Sequence, residues 1–320
     1  VLALRRDLER PLLKALCLGV IVGLAQATKE ITPLYFAAAI GALYLTRDKS
    51  VPKPGFNVLA AAGLGFAVSY LLFYSSFGAH PDGIVDGIRH YFLQIERLTD
   101  SPHSYPWWQH LKTLGILETG GPRWGQYVLL TLALLGGITA FRSQASRAHR
   151  VVALFTFGLL VFHSVVSYKT PWLLVTPMIG LVLLAAEFVV SLMTRSRLGL
   201  AGGVILTGLA ISQSYAKSSL ALDRYPGDVR NPYFYEQAPR GFLKLPARIA
   251  LLQATYSSSL NIAVVSAEHA WPLPWYLRDT PQVGYFPAPP ASLAGWDIVI
   301  WDDQTGAPLP ELENYAIVEL

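Results

Sequence analysis

Seven apolar stretches, at about 12–27, 32–46, 56–74, 126–141, 151–168, 172–192 and 199–213, constrain this chain more than any other feature. Each comes near the roughly 20 residues that cross a bilayer core, and several fall short of it. The cations between them are not scattered. Arg5, Arg6, Arg10 and Lys14 precede or open the first stretch, and Arg47, Lys49 and Lys53 follow the second. Arg142, Arg147 and Arg150 follow the fourth, and Arg195 and Arg197 follow the sixth. Every second boundary is basic, so by the positive-inside rule these boundaries are expected on the cytoplasmic side, with everything after residue 213 outside.

Composition agrees with this division. The chain is 52% hydrophobic and 14% charged, against roughly 25% charged in a soluble domain, and the apolar surplus sits in the first two thirds. The net charge of +4 therefore reads as membrane topology, and no nucleic-acid partner is expected. Cys17 is the single cysteine, so no internal disulfide can form. The expected fold is an α-helical multispanning membrane protein with about seven spans over 1–213, an outer loop at 75–125, and a small extracytoplasmic α/β domain over 214–320. The expected location is the cytoplasmic membrane. The chain opens on Val1 without a signal peptide and is expected to be a fragment.

On this topology three features face outward: the turn Thr28-Lys29-Glu30, the loop 75–125, and the turn Tyr168-Lys169-Thr170-Pro171-Trp172. Within the loop, apolar Ile84, Val85, Ile88, Tyr91, Phe92 and Ile95 recur at helical spacing, which predicts a helix over Asp82–Leu98 lying along the membrane surface. The stretch from His103 to Trp108 is aromatic and proline-stiffened. Beyond residue 213 a loop centred on Asn231-Pro232-Tyr233-Phe234-Tyr235 precedes a helix at about 246–257 and strands at 262–266, 298–301 and 316–319. Between the second and third of these elements lies Trp271-Pro272-Leu273-Pro274-Trp275-Tyr276-Leu277-Arg278, which its two prolines predict to be a stiff extended ribbon.

The chemical candidates are sparse. Lys29 and Glu30 can hold a lipid phosphate or act as a snorkelling interfacial pair. Lys169, in a turn a few residues long, is placed to neutralise a phosphate at headgroup depth, with a topological anchor as the alternative. His103 and His110 are seven apart, the wrong spacing for a helical zinc face. His163 reads as a satisfied bundle histidine, and Glu187, inside a span, requires a partner or water. Asp302-Asp303 resembles a metal-binding pair but reads as a strand end leading into Gln304-Thr305-Gly306. No phosphate-binding loop, dinucleotide fingerprint or hydrolase triad is present in the sequence.

Five stretches together, Ala27 to Glu30, His103 to Trp108, Tyr168 to Leu173, Asn231 to Tyr235 and Trp271 to Arg278, resemble the signature segments of the flippase-activity-associated membrane proteins of N-glycosylation clusters. These stand within the GT-C glycosyltransferases, in the family 39, protein O-mannosyltransferase-like clan. The resemblance covers nearly the whole chain. It implies a membrane glycosyltransferase that takes sugar from a polyprenyl-phosphate-linked donor on the outer face and passes it to a glycan, lipid or protein acceptor. It implies no soluble cofactor and leaves room for a divalent metal. It points to Lys29, Glu30, His103, Trp107, Tyr168, Lys169, Trp172, Trp271, Trp275 and Arg278 as substrate-binding residues. Proteins of this architecture carry their catalytic acid in an earlier outer loop, so that group is expected upstream of these 320 residues. The alternative is a non-catalytic accessory of lipid-linked oligosaccharide flipping or assembly.

Overall fold

A computed structural model describes residues 11–50, 52–99, 104–228, 230–234, 244–256, 259–266 and 270–302. Arg5, Arg6, Arg10, His103, Tyr235, Asp303 and the strand expected at 316–319 lie outside these residues. The chain is mostly helical and divides into two units, Val1–Lys217 and Ser218–Leu320.

The first unit is built from apolar helices: α1 (Pro11–Thr28), α2 (Thr32–Leu45), α3 (Phe56–Tyr74), α6 (Tyr127–Ala140), α7 (Arg147–Val165), α8 (Val175–Met193, entered through a 3-10 turn at Pro171–Leu174) and α9 (Arg197–Ser219). Five helical stretches are long and apolar enough to cross a membrane: Pro11–Thr28, Phe56–Tyr74, Arg147–Val165, Pro171–Met193 and Arg197–Arg224. The other two, α2 and α6, are equally apolar but 14 residues long, which at 1.5 Å per residue is about 21 Å. These helices expose Leu, Ile, Val and Phe around much of their circumference. An apolar outside is what lipid-facing helices need and what a soluble bundle avoids.

Because lipid is as apolar as leucine, such helices are held by close packing and not by apolar burial alone. Gly19 and Gly23 of α1 form a small-xxx-small stripe that meets Ala62, Gly65, Phe66 and Ser69 of α3 in parallel. A β-carbon at Gly19 would stand 1.9 Å from the Ala62 carbonyl oxygen, and one at Gly65 2.3 Å from that of Leu16. Gly136 of α6 meets the Leu184 backbone of α8 in the same way, and Gly180 of α8 meets Thr156 of α7. Leu132, Ala133, Leu160, Leu181 and Leu184 form the core of this second group of helices.

The helices alternate in direction and so gather two ends. At one end Arg147, opening α7, reaches the Leu43 carbonyl near the close of α2 at 3.4 Å. At the other end lie the α1–α2 turn, the segment from Ser75 to Gln126, the turn after α7 and the last turn of α9. There the Gln213 side chain accepts from the Val128 amide at 2.9 Å, and Lys217 Nζ donates to the Arg123 carbonyl at 2.5 Å. The segment from Ser75 to Gln126 is not a plain loop. It holds α4 (Gly83–Thr99), α5 (Gln109–Leu114) and an antiparallel pair, β1 (Leu117–Glu118) with β2 (Arg123–Trp124). The positive φ at Gly120 (57°) and Gly121 (111°) turns the chain between those strands, and Trp124 of β2 is completely buried.

In the second unit α10 (Leu245–Thr255) precedes β3 (Ile262–Val265), α11 (Leu273–Tyr276), β4 (Val283–Phe286) and β5 (Ile298–Trp301). The strands form a parallel sheet in the order β4-β3-β5. The central β3 is buried at all four positions, as a middle parallel strand should be.

Candidate functional site

The turn Thr28-Lys29-Glu30 is set by backbone bonds that close α1 and open α2. The Lys29 amide donates to the Ala25 carbonyl and the Thr32 amide to the Lys29 carbonyl, both at 3.1 Å, and the Thr32 hydroxyl reaches back to the Ala25 carbonyl at 2.9 Å. This holds Lys29 and Glu30 at the mouth of an open cleft of about 340 Å³, together with Gln26, Tyr74, Asp86 and His90. Lys29 Nζ lies 2.9 Å from Glu30 Oε1, with 52% and 36% of the two side chains exposed. Burial alone would raise the Glu30 pKa, but its bond from Lys29, a backbone bond and the nearby His90 hold it below the usual carboxylate range.

Gln26 forms the floor of this cleft. Its Nε2 donates to the Tyr74 hydroxyl at 3.2 Å and to the Tyr91 hydroxyl, and Tyr74 stacks on Tyr70 with ring centroids 4.2 Å apart. Helix α4 can close on these rings because Gly83 and Gly87 carry no side chain. A β-carbon at Gly83 would stand 2.1 Å from the Tyr74 carbonyl oxygen, and one at Gly87 2.2 Å from the Tyr74 ring. Gln26, Tyr74, Asp86 and His90 are not legible in the sequence because the cleft joins positions up to 64 residues apart, and Gln26 and Tyr74 are single polar residues at the ends of apolar runs. The only signal was the amphipathic spacing of α4 with its two glycines.

The second expected group is brought together differently. The Tyr105 amide donates to the Ser167 carbonyl at 3.0 Å, and Ser104 bridges Tyr168 in antiparallel fashion. This lays the aromatic segment carrying Trp107 and Trp108 beside the turn carrying Tyr168 and Trp172. Trp107 and Trp108 pack edge to face at 5.8 Å and stay largely exposed. Tyr35, in the first turn of α2, meets the His163 ring edge-on at 6.2 Å, so this group and the Lys29 turn belong to the same end of the unit.

Lys169 does not face outward. It is 4% exposed, and its ammonium donates to the carbonyls of His163 at 2.9 Å, Ser164 at 3.0 Å and Val166. These are carbonyls that the end of a helix leaves unpaired, so the expectation of a phosphate ligand gives way to a C-terminal cap on α7, where a cation is favoured by the helix dipole. Its burial pushes the ammonium pKa down. Behind it, the His110 and His163 rings meet edge to face with centroids 6.3 Å apart, and the buried Nε2 atoms of both find no hydrogen-bond partner among the described residues. His163 stays inside the bundle, 1% exposed, with its ring against those of Tyr35, His110 and Phe162. His110 is held neutral, its pKa lowered to about 4 by burial, then by Lys169 and His163. Glu187, its side chain about half exposed, lies with Oε1 3.8 Å from His149 Nδ1 at the opposite end of the unit.

In the second unit the octamer is not an extended ribbon. Leu273–Tyr276 forms a helical turn after a cis Trp271-Pro272 bond. The i, i+4 spacing of a turn places Leu273 and Leu277 into the core with Ile249, Ile262 and Val264 and leaves Trp271 and Trp275 more than half exposed. Arg278 lies 4.4 Å over the Trp275 ring and donates to the Trp275 carbonyl at 2.8 Å. Asn231 is a latch: fully buried, its Nδ2 donates to the carbonyls of Ala221 at 3.0 Å and Tyr225 at 2.9 Å, and its Oδ1 accepts from the Tyr233 amide at 3.1 Å. Ser266 and Asp302, at the C-terminal ends of β3 and β5, are joined by a 2.9 Å bond. Among the described residues no group of three or more His, Cys, Asp or Glu is placed to hold a metal.

No protein-family model, curated protein or solved structure matches the chain.

Proposed function

We propose that this chain is part of a membrane glycosyltransferase that binds a polyprenyl-phosphate-linked sugar on the outer face of the membrane. The observation that carries the reading is the cleft at one end of the apolar helices, in which the Lys29 cation stands beside two carboxylates, an imidazole and a buried amide. A lipid-linked sugar needs such a mixture: a cation for the phosphate, whose charge grows as the sugar leaves, and carboxylates to accept from sugar hydroxyls. Exposed Trp107, Trp108 and Trp172 at the same end offer flat apolar faces to sugar rings. Trp271 and Trp275 offer the same on the second unit. In this reading all seven apolar helices cross the membrane, the basic boundaries lie in the cytoplasm, and the Ser218–Leu320 unit is extracytoplasmic.

The accessory reading, binding the same lipid without transfer, draws support from Lys169, whose three donors are all spent on helix carbonyls and leave Lys29 as the cation of the cleft. One experiment addresses binding and a second separates the two readings. The full chain in nanodiscs should bind polyprenyl-phosphate mannose, and Lys29→Ala should weaken binding about tenfold, the effect of losing about 1.4 kcal/mol. Unchanged binding by Lys29→Ala would remove the cleft from the site. Release of free polyprenyl phosphate during incubation with acceptor supports transfer, and tight binding with no release supports the accessory.

A further inference from the structure

Helix α4 divides into three arcs. Gly83, Gly87 and Tyr91 face α3 and the Gln26 amide. Asp86 and His90 line the cleft, and Arg89 lies beside them, 3.6 Å from Asp86. The third arc is apolar and uncovered: Val85 is 49% exposed, Ile88 54% and Phe92 67%. At 100° per residue these three positions fall within about 60° of one another, on one stripe of the helix. Arg89 flanks the stripe, with 73% of its side chain exposed.

From this geometry we infer that the Val85-Ile88-Phe92 face of α4 is a membrane-surface contact, seated at the boundary between headgroups and acyl chains of the leaflet above which the cleft opens. Three observations select lipid over protein as the occupant. Helix α3, against which α4 is locked through Gly83, Gly87 and Tyr74, is itself a candidate span, and its last turn and the turn after it expose Leu71, Leu72, Phe73 and Phe77 toward the same end. The stripe is three side chains, far fewer than the roughly 20–30 residues a side that stable protein association uses. Arg89 stands where a guanidinium can reach lipid phosphate while its neighbours insert, the arrangement of interfacial helices. The consequence for the cleft is direct. With one arc of α4 in the leaflet and the next lining the cleft, Asp86 and His90 are held at headgroup depth, and a ligand anchored by an acyl or isoprenoid tail enters sideways from the bilayer. The inference does not depend on sugar transfer.

The single cysteine makes the test clean. In a Cys17→Ser background of the full chain, nitroxides are placed by Ile88→Cys, Phe92→Cys and Arg89→Cys, and the protein is reconstituted in liposomes of phosphatidylcholine and phosphatidylglycerol. Power saturation then compares collision with oxygen, which concentrates in lipid, and with a water-soluble nickel chelate. The expected result is an oxygen-to-nickel ratio several-fold higher at 88 and 92 than at 89. Nickel collision at 88 and 92 equal to that at 89 would place the face in water and overturn the inference. Protection of 88 and 92 from both reagents would show that protein covers the face, and would overturn it equally. Binding of polyprenyl-phosphate mannose, measured separately, leaves this outcome untouched.

Discussion

Lys169 Nζ donates to the His163 carbonyl at 2.9 Å across six residues of chain, so the last turn of α7 is closed by a side chain from the turn that follows it. The cation that sequence position marks as a phosphate ligand thus serves the helix. The cation of the cleft is Lys29.

Removing the cap should cost stability. Lys169→Met leaves the His163, Ser164 and Val166 carbonyls without their donor, and the expected loss is about 1–3 kcal/mol, the range for bonds to a charged group and for orphaned buried acceptors. Thermal unfolding of purified protein in detergent checks it. Lys169→Arg, which keeps the charge, should recover part of the loss, whereas a ligand-binding role would leave the melting temperature unchanged.

His110 makes this end acid-sensitive. Its folded pKa is about 4 against 6.5 unperturbed, so between those values the unfolded chain binds a proton that the folded chain refuses. The sign follows: stability from this group is fully present above pH 6.5, falls as pH drops toward 4 and is flat below. Integrated over the window the effect is about 2–3 kcal/mol. Unfolding measured from pH 7 to pH 4 should show this slope, and His110→Gln should reduce it by the His110 share, leaving what other buried groups contribute.

The ion pair in the cleft predicts an increase in affinity. Glu30 holds Lys29 at 2.9 Å, so Glu30→Gln frees the ammonium and removes a repelling carboxylate. Binding of a polyprenyl phosphate lacking sugar should tighten about threefold, as expected for a partly exposed pair worth up to about 1 kcal/mol. Weaker binding would mean that Glu30 orients Lys29 for the ligand.

Two glycines of similar sequence context should behave oppositely. Gly19→Ala drives a β-carbon into the Ala62 carbonyl, which is backbone and cannot swing aside, whereas Gly41 of α2 has nothing within 4 Å. The expected changes are a loss of about 1–3 kcal/mol for the first and neutrality or a gain of up to about 1 kcal/mol for the second. Thermal unfolding of the two variants side by side gives the answer.

In the second unit, Leu277→Ala opens a hole beside Ile249 and Val264 and should cost about 2–5 kcal/mol. Trp275→Ala removes an exposed ring and should change stability by less than about 1 kcal/mol. Limited proteolysis of the full chain distinguishes them, since only the leucine variant should be cut readily within 245–302.

Periodicity and length make the helices legible in the sequence. Helix α3 was expected at 56–74 and spans Phe56–Tyr74, and β5 was expected at 298–301 and spans Ile298–Trp301. Local pattern suffices there because a run of apolar residues admits few other solutions. The octamer shows where local pattern fails. Its prolines predicted an extended ribbon, but Leu273 and Leu277 gain more by entering the core on one side of a helical turn than they would from an extended backbone.

By itself, then, the sequence determined the apolar helices, the alternation of basic boundaries and the helical spacing of α4, all of which follow from the order of side chains along the chain. Tertiary structure decided which of two similar lysines is spent on a helix end and which faces a cleft, and which polar residues stand around the latter. Those outcomes depend on glycines admitting one backbone against another, as at Gly83 and Gly87 against Tyr74. Contacts of that kind are fixed in space between residues far apart in sequence, where no periodicity records them.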